Sequence, residues 1–129
     1  MRMTKTLAFE HLARKSREGE GDIEDKFHVI KILRDFFGLH GLTGEVVEIS
    51  EDSCRLPDIL IKTNPRTIIE MDGQIHGSDE ITKPERDINR DSDYKKLGFN
   101  LIIINKENTL GYSTDKVIKS LQEQGLKLI

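Results

Sequence analysis

Apolar residues in the first third of the chain follow helical spacing and then change to strand spacing. Asp22 suits a helix N-cap, and Gly38 supplies a stop sixteen positions later. Between them, apolar side chains recur every three or four positions: Ile23, Phe27, Ile30, Leu33 and Phe37. Short β-branched runs at residues 46–49, 58–62 and 67–72 then predict three strands, and the Asn-Pro turn within residues 63–66 predicts that the last two form a hairpin.

The second half of the chain predicts a helix, a strand and another helix. Pro84 suits a first helical turn, and the helix should run from about residue 84 to residue 96, ahead of Gly98. The nearly continuous apolar run at residues 99–104 is typical of a strand covered on both faces. A last helix should begin near Thr114 and end at Gly125. The order α-β-β-β-α-β-α predicts an α/β fold with a mixed β-sheet flanked by helices.

Length and composition predict one domain inside the cell. A chain of 129 residues that is 36% hydrophobic can build one modest core, with residues 1–21 as an N-terminal arm or short helix. No apolar run suits a signal peptide or a membrane span, so we expect a cytoplasmic protein with no membrane partner. The single cysteine, Cys54, agrees with a reducing compartment. A net charge of −3 argues against a strongly basic nucleic-acid-binding surface.

Charged residues on the predicted hairpin indicate a metal site. Residues two apart on a strand share a face, so Asp58 lies with Lys62, and Glu70 lies with Asp72. Three carboxylates about 4 Å apart repel one another by several kcal/mol per pair at an effective dielectric constant near 20. A divalent cation relieves this repulsion, and hard oxygen ligands favour Mg²⁺ or Mn²⁺, which suits phosphodiester hydrolysis. The alternative is that these residues are solvent-exposed strand ends.

Further polar residues surround this cluster in the sequence. His76 follows Asp72 closely enough to reach the same metal or a phosphate. On the second helix, Arg86 and Arg90 lie one turn apart, and Lys83 and Tyr94 extend the same stripe, which could contact successive phosphates. Because aspartates intervene, the alternative is a surface helix covered with salt bridges. Glu24 lies on a polar stripe of the first helix, which is normally a solvated face.

Two motifs resemble those of the PD-(D/E)XK nucleases. Pro57-Asp58, a short hairpin and then Glu70-Met71-Asp72 resemble the signature itself. The form E-x-D-G-x-x-H, which residues 70–76 match, is similar to the branch related to very-short-patch mismatch-repair endonucleases. A second motif of that branch has four members here: Asp87, Arg90, Gly98 and Phe99. The resemblance covers residues 22–105.

The resemblance implies a restriction-endonuclease-like core and a metal-dependent endonuclease that cuts DNA. It makes Asp58 the central metal ligand, Glu70 a second ligand or the base that orients water, and Glu24 a helical carboxylate at the site. Asp72 stands where many members of the superfamily have lysine. Either Asp72 is a further ligand, or Lys62 supplies the missing positive charge from the neighbouring strand.

Other functions are compatible with the same residues. The domain could be an inactive or partner-dependent module that binds nucleic acid or protein, or a junction-resolving nuclease that works as a homodimer. RNA is a second substrate class for such a site. The chain has no zinc-ligand set of the kind that patch-repair enzymes carry, which favours general nuclease activity over mismatch recognition. No sequence signature indicates specificity.

Overall fold

A computed structural model of the protein describes Thr4, residues 22–73 and residues 83–129. For Asp22 and residues 83–87 it describes only the helical backbone. The helices are α1 (Asp22–Phe37), α2 (Lys83–Lys96) and α3 (Thr114–Glu123). The strands are β1 (Gly41–Leu42), β2 (Val47–Ser50), β3 (Ser53–Arg55), β4 (Ile59–Ile61), β5 (Thr67–Asp72) and β6 (Asn100–Asn105). The expected arm at residues 1–21 lies outside the described residues, apart from Thr4.

Four strands form one mixed sheet in the order β1-β4-β5-β6. The β4 strand is antiparallel to both β1 and β5, with Ile59 opposite Ile69 across the predicted hairpin. The β5 and β6 strands are parallel, and α2 provides the crossover between them, as a parallel pair requires. The predicted α/β architecture with a mixed sheet flanked by helices is therefore confirmed.

The two faces of the sheet are covered by different elements. On one face, α1 and α3 pack against inward side chains of β4, β5 and β6, including Ile59, Ile69 and Ile104. On the other face, Ile68 and Leu60 pack with Tyr94 of α2 and Val47 of β2. Because side chains alternate along β5, Glu70 shares a face with Ile68 and points towards α2. This alternation places an acidic side chain under a helix.

The inward face of α1 differs from the predicted one. Phe27 is 57% exposed, whereas Val29 and Leu33 are fully buried. Ile30 is only partly buried against this core. The predicted stripe is confirmed at Leu33 and Phe37 and wrong at Phe27, because Val29 and Ile32 are buried instead. A helix with apolar residues on several faces does not define one inward direction by spacing alone.

One prediction about the strands was wrong in detail, and another was confirmed. The predicted strand at residues 46–49 does not join the main sheet, because β2 pairs with β3 in a separate two-stranded sheet. The apolar strand β6 is packed on both faces as predicted, with Ile102 and Ile104 on one face and Leu101 on the other, and it lies at an edge of the main sheet. The Gln124 side chain bonds to this edge, accepting from the Ile103 amide at 2.9 Å and donating to its carbonyl at 2.8 Å.

Within the described residues, no helix is long and apolar enough to cross a membrane.

Candidate functional site

Asp58 and Glu70 meet where β4 begins and β5 approaches its end. Since Ile59 lies opposite Ile69, the antiparallel register brings the preceding Asp58 beside the following Glu70. The Asp58 carboxylate is fixed there by the backbone, because its Oδ2 accepts a hydrogen bond from the Met71 amide at 2.7 Å. The hairpin register and one backbone hydrogen bond thus bring together two of the predicted site residues.

The Glu70 carboxyl group is buried, and this changes its acidity. Burial and, as a smaller cause, the neighbouring charge of Asp58 raise its pKa from 4.5 to about 8. The positive charge of Arg90 and a hydrogen bond from Tyr94 oppose this rise. At neutral pH the Glu70 carboxyl group therefore keeps its proton, as expected for a buried acid beside another carboxyl group.

Two cations approach the acidic pair from opposite faces of the sheet. Lys26 of α1 places its Nζ atom 3.3 Å from Asp58 Oδ1, and its side chain is only 16% exposed. Arg90 of α2 places Nη1 3.9 Å from Glu70 Oε2 and also bonds Asp91. These cations compensate charge that the sheet has withdrawn from water.

A buried polar network supports Glu70 from the α2 side. The Tyr94 hydroxyl donates to Glu70 Oε1 at 3.1 Å, and burial together with Glu70 raises the pKa of that hydroxyl far above its usual range. The preceding residue, Asp93, accepts a 2.7 Å hydrogen bond from Arg55 Nε, and both side chains are almost fully buried. The β2-β3 sheet is thereby tied to the helix that orients Glu70.

The remaining carboxylates and Lys62 do not all gather at this pair. Asp72 ends β5 on the same face as Glu70, but the described residues contain no group of three histidine, cysteine or acidic side chains that could hold a metal ion. Glu24 is exposed. Lys62 is exposed at the opposite end of β4 from Asp58, about 13 Å away along the strand at about 3.3 Å per residue. The structure therefore does not bring Lys62 to the acidic pair.

Three other predicted site residues cannot be placed by their side chains. His76 lies outside the described residues. Lys83 and Arg86 belong to α2, but their side chains lie outside the described part. Of the predicted phosphate-contacting stripe, Arg90 and Tyr94 have side chains beside Glu70, and Tyr94 is buried there rather than facing solvent.

Lys26 is the site residue that the sequence analysis missed. It lies three residues before Val29 and seven before Leu33, both fully buried, which is the spacing of one helix face. A lysine in line with buried residues signals a charge that needs a partner inside the fold. The predicted inward stripe of α1 passed through Phe27 and did not include Val29, so Lys26 was not expected to face the sheet.

The donor set fits a hard divalent cation held by two carboxylates. Mg²⁺ is commonly bound through one or two carboxylates, with waters and substrate phosphates completing its shell. The fit rests on the half-buried pair itself, which must hold a proton or a cation to avoid two adjacent negative charges.

Comparison with known proteins gives no relative from which a role for these residues could be inferred: no family model, curated protein or solved structure matches the chain.

Proposed function

We propose that this protein is a Mg²⁺- or Mn²⁺-dependent endonuclease that hydrolyses phosphodiester bonds in DNA, with a restriction-endonuclease-like core. The observation that carries the proposal is the convergence of Asp58 and Glu70, with Lys26 and Arg90 in contact with them. A fold rarely keeps two adjacent, poorly hydrated carboxyl groups for stability alone, because their repulsion and desolvation oppose folding. Acidic groups whose pKa is shifted by burial and by a specific charged neighbour are more typical of functional sites than of purely structural positions.

The chain's own residues have separate roles in this proposal. Asp58 and Glu70 bind the cation, which supplies polarisation of the phosphodiester and a lower pKa for attacking water. The Met71 amide fixes the angle of Asp58, and Tyr94 fixes that of Glu70. Arg90 lies within reach of an anionic substrate and offers a planar guanidinium that matches phosphate. Asp72, His76 and Glu24 remain candidates for contacts that complete the site.

The test is cleavage of labelled single-stranded, duplex and branched DNA in Mg²⁺, Mn²⁺ or EDTA. Asp58→Asn and Glu70→Gln keep the shape of each side chain but remove its negative charge. Each should lower the cleavage rate by at least about 100-fold, since loss of one key electrostatic contact typically has this effect. Asp52→Asn, at an exposed position in the turn between β2 and β3, is the matched control and should cleave like wild type. Equal cleavage by all four proteins would refute the proposed site.

A second candidate is a nuclease-like module without catalysis that binds nucleic acid or protein. One observation favours it: the charge of the acidic pair is already balanced without a metal. Glu70 keeps its proton at neutral pH, and Lys26 and Arg90 supply positive charge beside the pair. This candidate predicts that Mn²⁺ does not bind. Calorimetric titration of wild type and Asp58→Asn with Mn²⁺ separates the two functions. An endonuclease requires that wild type binds Mn²⁺ and that Asp58→Asn does not.

A further inference from the structure

The two oxygens of Asp58 have partners of very different mobility. Oδ2 is held by the Met71 amide, which belongs to the paired strand β5 and cannot move away independently. Oδ1 is held at 3.3 Å by the ammonium group of Lys26, at the end of a flexible four-carbon chain. One oxygen is therefore fixed by the fold, and the other is held by a group that can leave.

Lys26 is placed where it can leave Asp58 without disturbing the fold. Its side chain is mostly covered but keeps 16% exposure, and that of Asp58 keeps 22%, so the contact lies at the boundary between core and solvent. A short side-chain motion returns the ammonium to water without unfolding α1. A divalent cation on Oδ1 would stand next to this ammonium and repel it, so the two cannot share the oxygen.

We propose that Lys26 is an exchangeable occupant of Asp58: it holds Oδ1 in the metal-free protein, yields it to a divalent cation, and then contacts a substrate phosphate. This inference rests on the proposed function, because it assigns the regulation of the same site. Lys26 lowers the affinity for the cation alone. It also favours joint binding of cation and phosphodiester, since the displaced ammonium finds its new partner on the substrate.

The consequence is a thermodynamic coupling that does not depend on turnover. If phosphodiester binding stabilises the displaced lysine, it strengthens cation binding, and the cation strengthens phosphodiester binding by the same factor. We expect a coupling of about tenfold, which corresponds to about 1.4 kcal/mol and is near the usual size for coupled sites. A lysine that only supported the fold would produce no such coupling.

The experiment is calorimetric titration with Mn²⁺ of wild type, Lys26→Met and Lys26→Arg, with and without a cleavage-resistant phosphorothioate duplex. Lys26→Met keeps the apolar chain without the charge and should bind Mn²⁺ alone about tenfold more tightly. Lys26→Arg should bind Mn²⁺ more weakly than wild type, because a guanidinium can hold a carboxylate through two parallel hydrogen bonds. In Lys26→Met, the duplex should strengthen Mn²⁺ binding about tenfold less than in wild type, because only the direct attraction between cation and phosphate remains. Lys31→Met, which removes an exposed lysine of the same helix, controls for net charge.

The outcomes separate this inference from the proposed function. Equal Mn²⁺ affinity in wild type and Lys26→Met overturns the inference and leaves the metal site standing. No Mn²⁺ binding in any of the proteins overturns both. Weaker binding by Lys26→Met shows that the lysine supports the site and also overturns the exchange. If Lys26→Met does not fold, as judged by circular dichroism, the opposite shift expected for Lys26→Arg decides the question.

Discussion

The pKa of Glu70 predicts how stability depends on pH in the metal-free protein. In the folded state the carboxyl group keeps its proton up to about pH 8, whereas in the unfolded chain it loses the proton near 4.5. Between these values the native state binds more protons, so the free energy of unfolding falls as pH rises. Glu70→Gln removes this dependence, because its amide is uncharged at every pH and can occupy the same space.

The size of the effect follows from the same two pKa values. A pKa of about 8 instead of 4.5, at about 1.36 kcal/mol per pH unit, gives an upper bound of roughly 5 kcal/mol. Relaxation around a charged Glu70 lowers this value, so we expect about 2–5 kcal/mol. Glu70→Gln should match wild type near pH 5 and exceed its stability by this amount near pH 9.

Urea unfolding followed by circular dichroism in EDTA, at pH steps from about 5 to about 9, measures this difference. Titration of other groups affects wild type and variant alike and cancels in the comparison. Glu51→Gln changes an exposed glutamate in the turn between β2 and β3, and its free energy of unfolding should equal that of wild type at every pH. Parallel curves for wild type and Glu70→Gln across the range would refute the reasoning that burial keeps Glu70 protonated.

Three further substitutions test the surroundings of the site. Arg55→Met removes the guanidinium that lies 2.7 Å from the buried Asp93 and should cost about 3–5 kcal/mol in urea unfolding. The double variant Arg55→Met/Asp93→Leu should recover most of this loss, and an equal loss in both variants would contradict the reasoning. Tyr94→Phe removes a hydrogen bond that favours ionised Glu70, so the affinity for Mn²⁺ at neutral pH, measured by calorimetry, should fall several-fold. Unchanged affinity would count against a role for this hydrogen bond. Gly41→Ala places a methyl group 2.9 Å from an Ile59 methyl carbon and should lower stability by about 1–3 kcal/mol in thermal melts, whereas an unchanged melting temperature would show that the core yields.

Much of the fold could be predicted from local sequence signals. Helix ends were marked by Gly38, Gly98 and Gly125, which adopt positive φ angles of 64°, 83° and 107°. The hairpin between β4 and β5 was marked by its Asn-Pro turn and by flanking β-branched runs. These features depend on neighbouring residues only, so spacing and turn chemistry suffice to find them.

The errors concern features that the spacing of residues within one element does not define. The β2 strand pairs with β3 across a short turn and not with the main sheet. The composition of a strand does not determine which strand it pairs with. The inward rotation of α1 depends on the sheet that it covers, so Lys26 could not be assigned to Asp58 from helix periodicity alone. Lys62 shared a predicted strand face with Asp58, but β4 spans only Ile59–Ile61 and leaves the two at opposite ends.

The side-chain amide of Gln124 has a consequence for aggregation. An open strand edge offers backbone groups to any other chain, and such edges nucleate intermolecular sheets. At β6 the Gln124 amide meets both the N–H and the C=O of Ile103, as another strand would, and the Asn105 carbonyl is taken by the Thr109 amide. Gln124→Ala should therefore increase light scattering at high protein concentration, while Gln122→Ala on the exposed end of α3 should not. One glutamine at the C-cap of a helix thus occupies both backbone groups of Ile103, to which the edge of another strand could otherwise bind.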